Sequence, residues 1–570
     1  MDCCKSPSYR RCRARRDNAL LSALLLLLFG SIAVVADDSQ LPQRLRQLDA
    51  ARAAFARTPD RPSAYLLARA LLSYGHVRPS TVSNAFYVEA AETYRRAAAL
   101  GGAAPSDASL LVDEAAAWVQ DGNGARAFAA LADAEAALGC GVAEACAFPD
   151  ATASRLWEAR GDALDLQAGR DAAAAEAAYR TSLAAGARAP VLNKVCRLVS
   201  RERKRGGALG GDGAARRCVA DIDAVVTAHS TSAYDGARLL YTAFALREGL
   251  GDHDGAFAAL ERANAIELRP EAERAALAAS RDANLRVLKS IFATREGLAQ
   301  LEAFSPRGRP ERWPVFVVGL PRSGSTLVEA ILGGHPRCHG LGEDSVYNPA
   351  MVAFRDGMAS ATTGAELAAL YESTADAVWR GMVAAAPPDK RERPGLVVVD
   401  KMLMNLRTLP FLHLLFPDAR VVALARDAED VVFSCFKAEL TALALYNDLD
   451  DIVGELACDR DHLDHWRTVL PPGRVLELRY EDLVADFGNA SARLLDFVGL
   501  PPVDGFDAAD FHKTASQVQT CSKEQVNRPI YATAVGSAKP YAAHLAATNA
   551  KLAALAETRR RPAKKKKRKK

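Results

Sequence analysis

The chain has 570 residues, of which 49% are hydrophobic and 25% are charged. At roughly 100–200 residues per domain, this length predicts two to four domains of ordinary globular composition. The composition excludes wholesale disorder, collagen and a small disulfide-stapled fold. Only one long apolar run is present, which excludes a protein that crosses a membrane many times.

Positive charge is concentrated at the two ends of the chain. The whole chain carries a net charge of +4, residues 1–17 carry +4, and residues 559–570 carry +10. Residues 18–558 therefore carry about −10. A nucleic-acid-binding core shows the opposite distribution, so we expect no nucleic-acid partner. The basic composition of residues 557–570 predicts a tail that does not fold alone.

The long apolar run lies in residues 18–36. It follows the basic segment 1–17 and is followed by Asp37 and Asp38. As a helix, the 18 residues from 19 to 36 span roughly 27 Å, just enough for a bilayer core. The arginines before it predict a signal anchor, with the N-terminus in the cytosol and the rest of the chain in the lumen. A signal peptide cleaved after Ala36 is the alternative.

Residues 45–300 show apolar residues at helical spacing, separated by short turns rich in Gly, Pro or Asp. This pattern predicts an all-α domain of stacked helical hairpins. Three segments resemble tetratricopeptide units, with a generic helical bundle as the alternative: EAAETYRRAAALG (89–101), AAEAAYRTSLAAGA (174–187) and DHDGAFAALERANAIEL (252–268). Such repeats usually bind peptides or position partners.

Cysteine and histidine usage gives little sign of a metal site. No CxxC pair occurs and only 10 histidines are present, so we expect no bound metal. Candidate disulfides are Cys140 with Cys146 and Cys196 with Cys218; free buried thiols are the alternative for each.

From residue 310 to 548 the pattern changes to alternating strands and helices. Short apolar runs predict strands at 315–319, 396–400, 420–425 and 474–480. Helical patterns follow them at about 325–332, 404–415, from 428, and 487–498. Continuous apolar strands joined by helical crossovers indicate a parallel sheet covered on both faces, which is an α/β domain.

The segment GLPRSGST (319–326) lies between the first strand and the first helix of this domain. Its spacing matches the phosphate loop of nucleotide-binding enzymes, whose backbone N–H groups and helix N-terminus cradle an anion. Ser325, however, occupies the position of the lysine in an NTPase, and the cation is Arg322 inside the turn. Such a loop suits a less charged phosphate than a triphosphate with Mg²⁺.

PRSGST (321–326) after VFVVG resembles the 5′-phosphosulfate loop of sulfotransferases, whose donor is 3′-phosphoadenosine-5′-phosphosulfate (PAPS). Further segments are similar to this family in the same order: HPRCHGLGED (335–344), VVVDKMLMN (397–405), FPDARVVALARDAEDVVFSCF (416–436), LRYEDLVADF (478–487) and SKEQVNRPIY (522–531). The resemblance covers about 310–545 and is strongest to the tetratricopeptide-linked and tyrosylprotein sulfotransferase branch. It implies a phosphate-loop sulfotransferase fold that needs no metal.

The resemblance also implies roles for individual residues. The 5′-phosphosulfate is held by the loop, namely Arg322, Ser323, Gly324, Ser325 and Thr326. Arg426 and Ser434 bind the 3′-phosphate, and a salt bridge from Arg426 to Asp427 or Asp430 is the alternative. Weaker matches near the nucleotide are Tyr480, Ser522 and Lys539.

Three residues are expected to take part in the transfer itself. The resemblance implies that Lys401 and Arg322 contact the group on which charge develops, and that the adjacent Asp400 has a structural role. Glu343 is the candidate general base for the acceptor hydroxyl, and the adjacent Asp344 is its alternative.

The expected function is transfer of a sulfuryl group from PAPS to a hydroxyl, with protein tyrosine favoured and carbohydrate as the alternative acceptor. The acceptor partner is then an acidic, tyrosine-containing protein or a glycan, and self-association of the chain stays open. Together with the anchor in residues 18–36, this predicts a Golgi membrane protein with a luminal catalytic domain, or a secreted one after cleavage. Two other classes stay open: a phosphate-loop kinase or NTPase, and a catalytically silent helical-repeat scaffold.

Overall fold

The structure is a computed structural model. It describes residues 41–75, 80–100, 107–137, 151–166, 171–186, 189–306, 313–343, 363–440, 443–514, 530–531 and 533–560, with a few single positions between 350 and 361. These residues form two compact units that divide between Glu267 and Leu268. The predicted anchor, residues 18–36, lies outside the described residues. Within the described part of the chain, no helix is long and apolar enough to span a bilayer.

Among the described residues of the N-terminal unit, every regular element is a helix, in agreement with the predicted all-α class. Its helices α1–α11 span Leu41–Arg57, Arg61–Gly75, Ser80–Ala99, Asp107–Gln120, Gly124–Ala137, Ala151–Leu166, Ala172–Ala184, Ala189–Arg205, Asp212–Thr227, Ala233–Gly249 and His253–Glu267. Consecutive helices pack on one another, and α4 also contacts α6, as α8 contacts α10. The assignment of these hairpins as tetratricopeptide repeats stays a prediction.

Small side chains let these helices approach closely. Alanines fill much of the buried core, for example Ala90, Ala130 and Ala163, each fully buried. The thiols of Cys196 and Cys218 are both buried in this unit and contact each other; they are free in this structure, as in the alternative to the second candidate disulfide. The other candidate pair lies outside the described residues.

The C-terminal unit begins earlier than the change of sequence pattern indicated. Helices α12 (Glu271–Ile291) and α13 (Arg295–Leu301) fall within the predicted repeat domain, 45–300, but pack in the C-terminal unit. Ion pairs join α12 to the later helix Leu449–Val469: Arg274 to Asp451, Arg281 to Glu455 and Lys289 to Asp461. The N-terminal unit therefore ends at Glu267.

A five-stranded parallel sheet forms the centre of the C-terminal unit. Its strands are β1 Trp313–Val318, β2 Cys338–Gly340, β3 Val397–Asp400, β4 Arg420–Ala425 and β5 Val475–Arg479. They are ordered β2-β3-β1-β4-β5. β1 lies between β3 and β4, with Val315 in register with both Val399 and Arg420. The parallel α/β sheet predicted from the apolar runs is confirmed; the short edge strand β2 was not predicted.

Helices cover both faces of this sheet. They are α14 Ser325–Gly333, α15 Gly364–Ala385, α16 Pro388–Arg391, α17 Leu409–Leu415, α18 Ala428–Phe436, α19 Leu449–Val469, α20 Tyr480–Ala485, α21 Phe487–Val498, α22 Phe511–Thr514 and α23 Ala546–Arg560. Alternate residues of β1 enter different cores: Phe316 packs with α15, α17 and α19, and Val317 with α14 and α21. Helix α23 extends to Arg560, into the segment predicted to be a disordered tail.

Candidate functional site

The candidate site lies at the carboxyl edge of the parallel sheet. Each strand ends one to three residues before one or more of the residues that the sequence singled out. The strand ends are followed by the loop 319–324 after β1, Glu343 after β2, Lys401 after β3, Arg426 after β4 and Tyr480 after β5. In open parallel sheets, ligands bind outside this edge, where neighbouring connections run in opposite directions. The fold therefore brings these candidates together although they are far apart in sequence.

The loop between β1 and α14 has the geometry of an anion cradle. Gly324 has φ = +101° and is the N-cap of α14, where it supplies no side-chain acceptor for the first-turn amides. Arg322 has φ = +67°, a left-handed conformation that costs a residue with a side chain roughly 1–2 kcal/mol. The Ser323 hydroxyl donates to the Leu320 carbonyl at 2.6 Å, which closes the turn. Uncapped amides at a helix N-terminus are suited to bind phosphate.

Ser325 and Thr326 are buried in the first turn of α14, directly after this loop. A β-carbon at position 324 would come within 2.7 Å of Cδ2 of Tyr480. Glycine is therefore required both by the backbone angle and by the closeness of the tyrosine ring.

Arg426 connects three parts of the site through its guanidinium. It donates to the Arg322 carbonyl at 2.7 Å and to the Ala534 carbonyl at 2.6 Å. Its Cζ lies 4.9 Å from the centre of the Tyr480 ring. Asp427 and Asp430, the two acids considered for a salt bridge, lie among the described residues and form none with Arg426. Its Nε is buried without a hydrogen-bond partner among the described residues.

Ser434 lies on α18 and faces the loop. Arg322 Nε is 3.4 Å from its hydroxyl oxygen, and the serine is buried. The structure thus places the predicted 3′-phosphate pair, Arg426 and Ser434, against the predicted 5′-phosphosulfate loop. Both residues contact Arg322, one through its backbone and one through its side chain.

A late segment of the chain closes one side of the site. The buried Asp430 carboxylate accepts hydrogen bonds from the Gly536 amide at 2.6 Å and from the Ala538 amide at 2.9 Å. Lys539 follows directly and is exposed. Ser522 lies outside the described residues, as does Asp344, the alternative to Glu343.

Lys401 lies between two carboxylates. Its Nζ is 2.7 Å from Glu343 Oε1 and 3.8 Å from Glu329 Oε2. Lys401 is fully buried and Glu329 is 4% exposed, whereas the side chain of Glu343 is 53% exposed. A base in contact with solvent and a buried cation beside it can act on a group that enters from the solvent side.

Asp400 has a structural role next to Lys401. One of its oxygens accepts from the Met402 amide at 2.8 Å and from Asn405 Nδ2 at 3.1 Å, which fixes the turn after β3. Burial raises the pKa of Asp400 to about 7, and the Met402 amide opposes this shift. This supports the structural role expected for Asp400. Within the described part of the chain, no group of three His, Cys, Asp or Glu is placed to hold a metal ion.

A cavity of about 270 Å³ borders the loop on the α19 side of the sheet. Its lining includes Gly319, Ser323 and Arg426, together with Asp459 of α19. Burial raises the pKa of Asp459 to about 6, and Arg407 opposes this shift. The volume is slightly below the usual range for ligand pockets, roughly 300–1,000 Å³. The loop and Arg426 therefore face open space on this side too.

Sequence reasoning missed two residues of the site. Glu329 is the one charged residue in the apolar run TLVEAIL of α14, and that interruption of a buried helix face was the available signal. Asp430 was considered only as a partner of Arg426. Its actual partners lie more than 100 residues later, and the sequence holds no signal for that contact.

Residues 314–505 match the family model described as "Sulfotransferase family". An uncharacterised protein of Aquifex aeolicus is 30% identical over 254 residues, 43% of this chain and 33% of that protein. Protein-tyrosine sulfotransferase 2 of Gallus gallus is 26% identical over 203 residues, 33% of this chain and 51% of that enzyme. Protein-tyrosine sulfotransferase 1 of Danio rerio is also 26% identical, over 33% of this chain and 53% of that enzyme.

Among solved structures, the sulfotransferase domain of the Synechococcus PCC 7002 olefin synthase is 20% identical. The match covers 45% of this chain and 98% of the olefin synthase domain, with a TM-score of 0.29. Sulfotransferase STF1 of Mycobacterium tuberculosis is 18% identical over 52% of this chain and 90% of that one, with a TM-score of 0.25.

The five-stranded parallel sheet and the helices on its two faces define an α/β domain in the C-terminal unit. Residues 314–505 of this domain match the sulfotransferase family model, and the chain is similar there to two protein-tyrosine sulfotransferases. The chain spans a third to about half of the length of the curated relatives named above.

Proposed function

We propose that this protein transfers a sulfuryl group from PAPS to a hydroxyl group. The observation that carries the proposal is the contact between Lys401 and Glu343, beside an uncapped phosphate loop that also contacts Arg426 and Ser434. A cation and a base thus lie next to a cradle for two phosphates. The match of residues 314–505 to the sulfotransferase family model supports the reaction class.

Two observations of this structure support the fit between the residues at the loop and the phosphates of PAPS. Arg426 has a buried Nε without a hydrogen-bond partner among the described residues, which leaves a charged donor for a phosphate oxygen. The uncapped first turn of α14 supplies backbone donors at the other end of the loop. Ser323, Ser325 and Thr326 add hydroxyls around those donors.

PAPS supplies an activated sulfuryl group with a phosphate as leaving group. Glu343 accepts the proton of the acceptor hydroxyl as the oxygen attacks, because its carboxylate is in contact with solvent. Lys401 and Arg322 stabilise the negative charge that builds on the leaving phosphate. Because Lys401 holds Glu343 at 2.7 Å, the lysine has to turn from Glu343 toward the phosphate before the base is free.

Protein tyrosine is the acceptor that we favour. Two of the relatives are named protein-tyrosine sulfotransferases, and the helical N-terminal unit is an architecture that suits a peptide or protein partner. The basic residues of the tail would attract an acidic segment near the tyrosine. A carbohydrate hydroxyl is the second acceptor class.

We also propose that the protein resides in the Golgi membrane with its catalytic unit in the lumen. The support is the sequence of residues 18–36 and the arginines before them. Protease protection of the C-terminal unit in intact vesicles tests this orientation. Recovery of the protein from the medium, starting at Asp37, would instead establish the cleaved form.

A transfer assay tests the reaction. Purified protein is incubated with radiolabelled PAPS and EDTA, and is offered a tyrosine-rich acidic peptide or a desulfated glycan. We expect label on the peptide, and a loss of about 10²–10⁴ in kcat for Glu343→Ala, which is the usual contribution of a general base. The control is Glu392→Ala, which removes an exposed glutamate of the same unit.

The outcomes separate the alternatives. Label on the glycan alone would keep the chemistry and replace the acceptor class. Full activity of Glu343→Ala would remove that residue from the mechanism. Binding of neither PAPS nor its product would refute the donor, and phosphate transfer from ATP that EDTA abolishes would establish a kinase instead.

A further inference from the structure

Glu329 is a buried carboxylate inside an otherwise apolar helix face. It is 4% exposed and its neighbours on α14 are buried hydrophobic residues, among them Val328 and Ala330. Burying a carboxylate is costly unless a cation or hydrogen bonds compensate it. Burial raises the pKa of Glu329, and the charge of Lys401 opposes this shift.

The two oxygens of Glu329 contact both catalytic candidates. Oε1 accepts a hydrogen bond of 2.6 Å from the amide of Gly342, the residue directly before Glu343. Oε2 lies 3.8 Å from Lys401 Nζ and has no hydrogen-bond partner among the described residues. One buried side chain therefore fixes the backbone that carries the base and also faces the cation.

The end of strand β2 is shaped to admit this carboxylate. A β-carbon on Gly340 would lie 2.7 Å from Glu329 Oε1 and 2.8 Å from its Cγ. Only glycine leaves room for the glutamate at that point. The contact is thus accommodated by two elements, α14 and the edge of the sheet.

We propose that Glu329 is a positioning residue that holds Lys401 and the Gly342–Glu343 turn in place for the transfer. The proposal rests on the proposed sulfotransferase function. Lys401 has two carboxylates near it in this structure, and it leaves one of them, Glu343, when it turns toward the donor phosphate. Glu329 stays beside the fully buried ammonium group during this turn, and its negative charge keeps that group compensated until it reaches the phosphate.

Glu329→Gln is the first test variant, because the amide oxygen keeps an acceptor for the Gly342 amide while the charge is lost. We expect kcat to fall at least tenfold. The affinity for 3′-phosphoadenosine 5′-phosphate, measured by calorimetry, should change less than threefold, because that product is held by the loop and Arg426. Glu302→Gln is the control, since Glu302 bonds His413 and Arg295 in the same unit, outside the site.

A double-variant cycle with Lys401→Met provides a readout besides activity. Lys401→Met leaves Glu329 buried without its cation and should lower the melting temperature. Adding Glu329→Gln to it should raise the melting temperature again, whereas Glu329→Gln alone should lower it. In the Lys401→Met background, Glu329→Gln should change kcat less than threefold, because Glu329 acts through Lys401.

The outcomes distinguish this proposal from the proposed function. A wild-type protein that transfers no sulfuryl group to any acceptor refutes the function, while the melting cycle still measures the coupling of Glu329 to Lys401. An active wild type with an equally active Glu329→Gln variant overturns the positioning role alone. Additive changes in melting temperature would also overturn it, since they would show that the two side chains do not interact.

Discussion

The two cations that follow neighbouring strands of the sheet are held in opposite ways. Arg426, after β4, bonds backbone carbonyl oxygens and contacts an aromatic ring, with no ion pair to a described carboxylate. Lys401, after β3, faces the carboxylates of Glu343 and Glu329. Both side chains are buried, at 8% and 0% exposure.

Under the proposed function, this difference distinguishes a cation that binds the donor, Arg426, from one that takes part in the transfer, Lys401. Carbonyl oxygens orient the guanidinium but leave its positive charge uncompensated, so the Arg426 side of the site is ready for an anion before any ligand arrives. Carboxylates compensate the ammonium of Lys401, so that side must rearrange when a phosphate binds. A buried charge without compensation is unfavourable, which gives Arg426 a strong tendency to bind an anion.

Among the variants that test this difference between Arg426 and Lys401, we expect the largest effect at Arg426. Arg426→Lys keeps the charge, but one ammonium group cannot reach both the Arg322 and the Ala534 carbonyls as the planar guanidinium does. We expect the affinity for 3′-phosphoadenosine 5′-phosphate to fall about a hundredfold. That loss corresponds to roughly the free energy that one hydrogen bond to a charged group contributes. Isothermal titration calorimetry measures this change.

Arg420→Lys is the matched control for that variant. Arg420 lies at the opposite end of the same strand, donates to the Gly473 carbonyl at 3.1 Å and lies over the ring of Phe497. The two substitutions therefore have similar effects on local packing. Equal affinities in the two variants would show that Arg426 holds the backbone and binds no phosphate.

Apolar runs predicted most of the sheet because its strands are buried on both faces. The predicted strand 420–425 coincides with β4, and the strand predicted at 315–319 is Trp313–Val318. The edge strand Cys338–Gly340 was missed because three residues give no periodic signal. Motif spacing placed the loop, Lys401 and Arg426 at strand ends, since the carboxyl ends of parallel strands share one edge.

Contacts between distant segments were beyond the reach of sequence patterns. Helix α12 has the same helical periodicity as the N-terminal helices, and only its ion pairs with α19, about 170 residues later, show that it belongs to the C-terminal unit. The hydrogen bond from Glu329 to the Gly342 turn also depends on tertiary packing. From the sequence alone, Glu329 is recognisable as a charged residue in an apolar helix, but its contact partners are not.

A second prediction sharpens the comparison on the Lys401 side through Asp400. Because burial raises the pKa of Asp400 to about 7, the folded protein binds a proton there that the unfolded chain releases near pH 4. This group therefore lowers stability as pH rises from about 4 to 7. Asp400→Asn removes that dependence, so we expect its stability relative to wild type to increase by about 2 kcal/mol between pH 5 and pH 8.

Urea unfolding at the two pH values measures this difference. Asp389→Asn is the control, because Asp389 is exposed in the same unit. Parallel pH dependence of the wild type and Asp400→Asn would show that Asp400 stays ionised when folded. An ionised Asp400 would then add a third carboxylate charge near Lys401, besides those of Glu343 and Glu329.

The smallest effect is expected at Gly324, which joins the two sides of the site. Gly324→Ala adds a β-carbon where φ is +101° and where Tyr480 Cδ2 would lie at 2.7 Å, so the ring beneath Arg426 has to move. We expect a loss of about 1–2 kcal/mol in stability from the strained backbone and displaced ring. Gly333→Ala, in the last turn of the same helix, has open space around its new methyl group and should be neutral or stabilising. Equal melting temperatures of the two alanine variants would show that the loop does not pack against Tyr480 as described. The Tyr480 ring would then not hold Arg426 in its position beside the loop before a ligand binds.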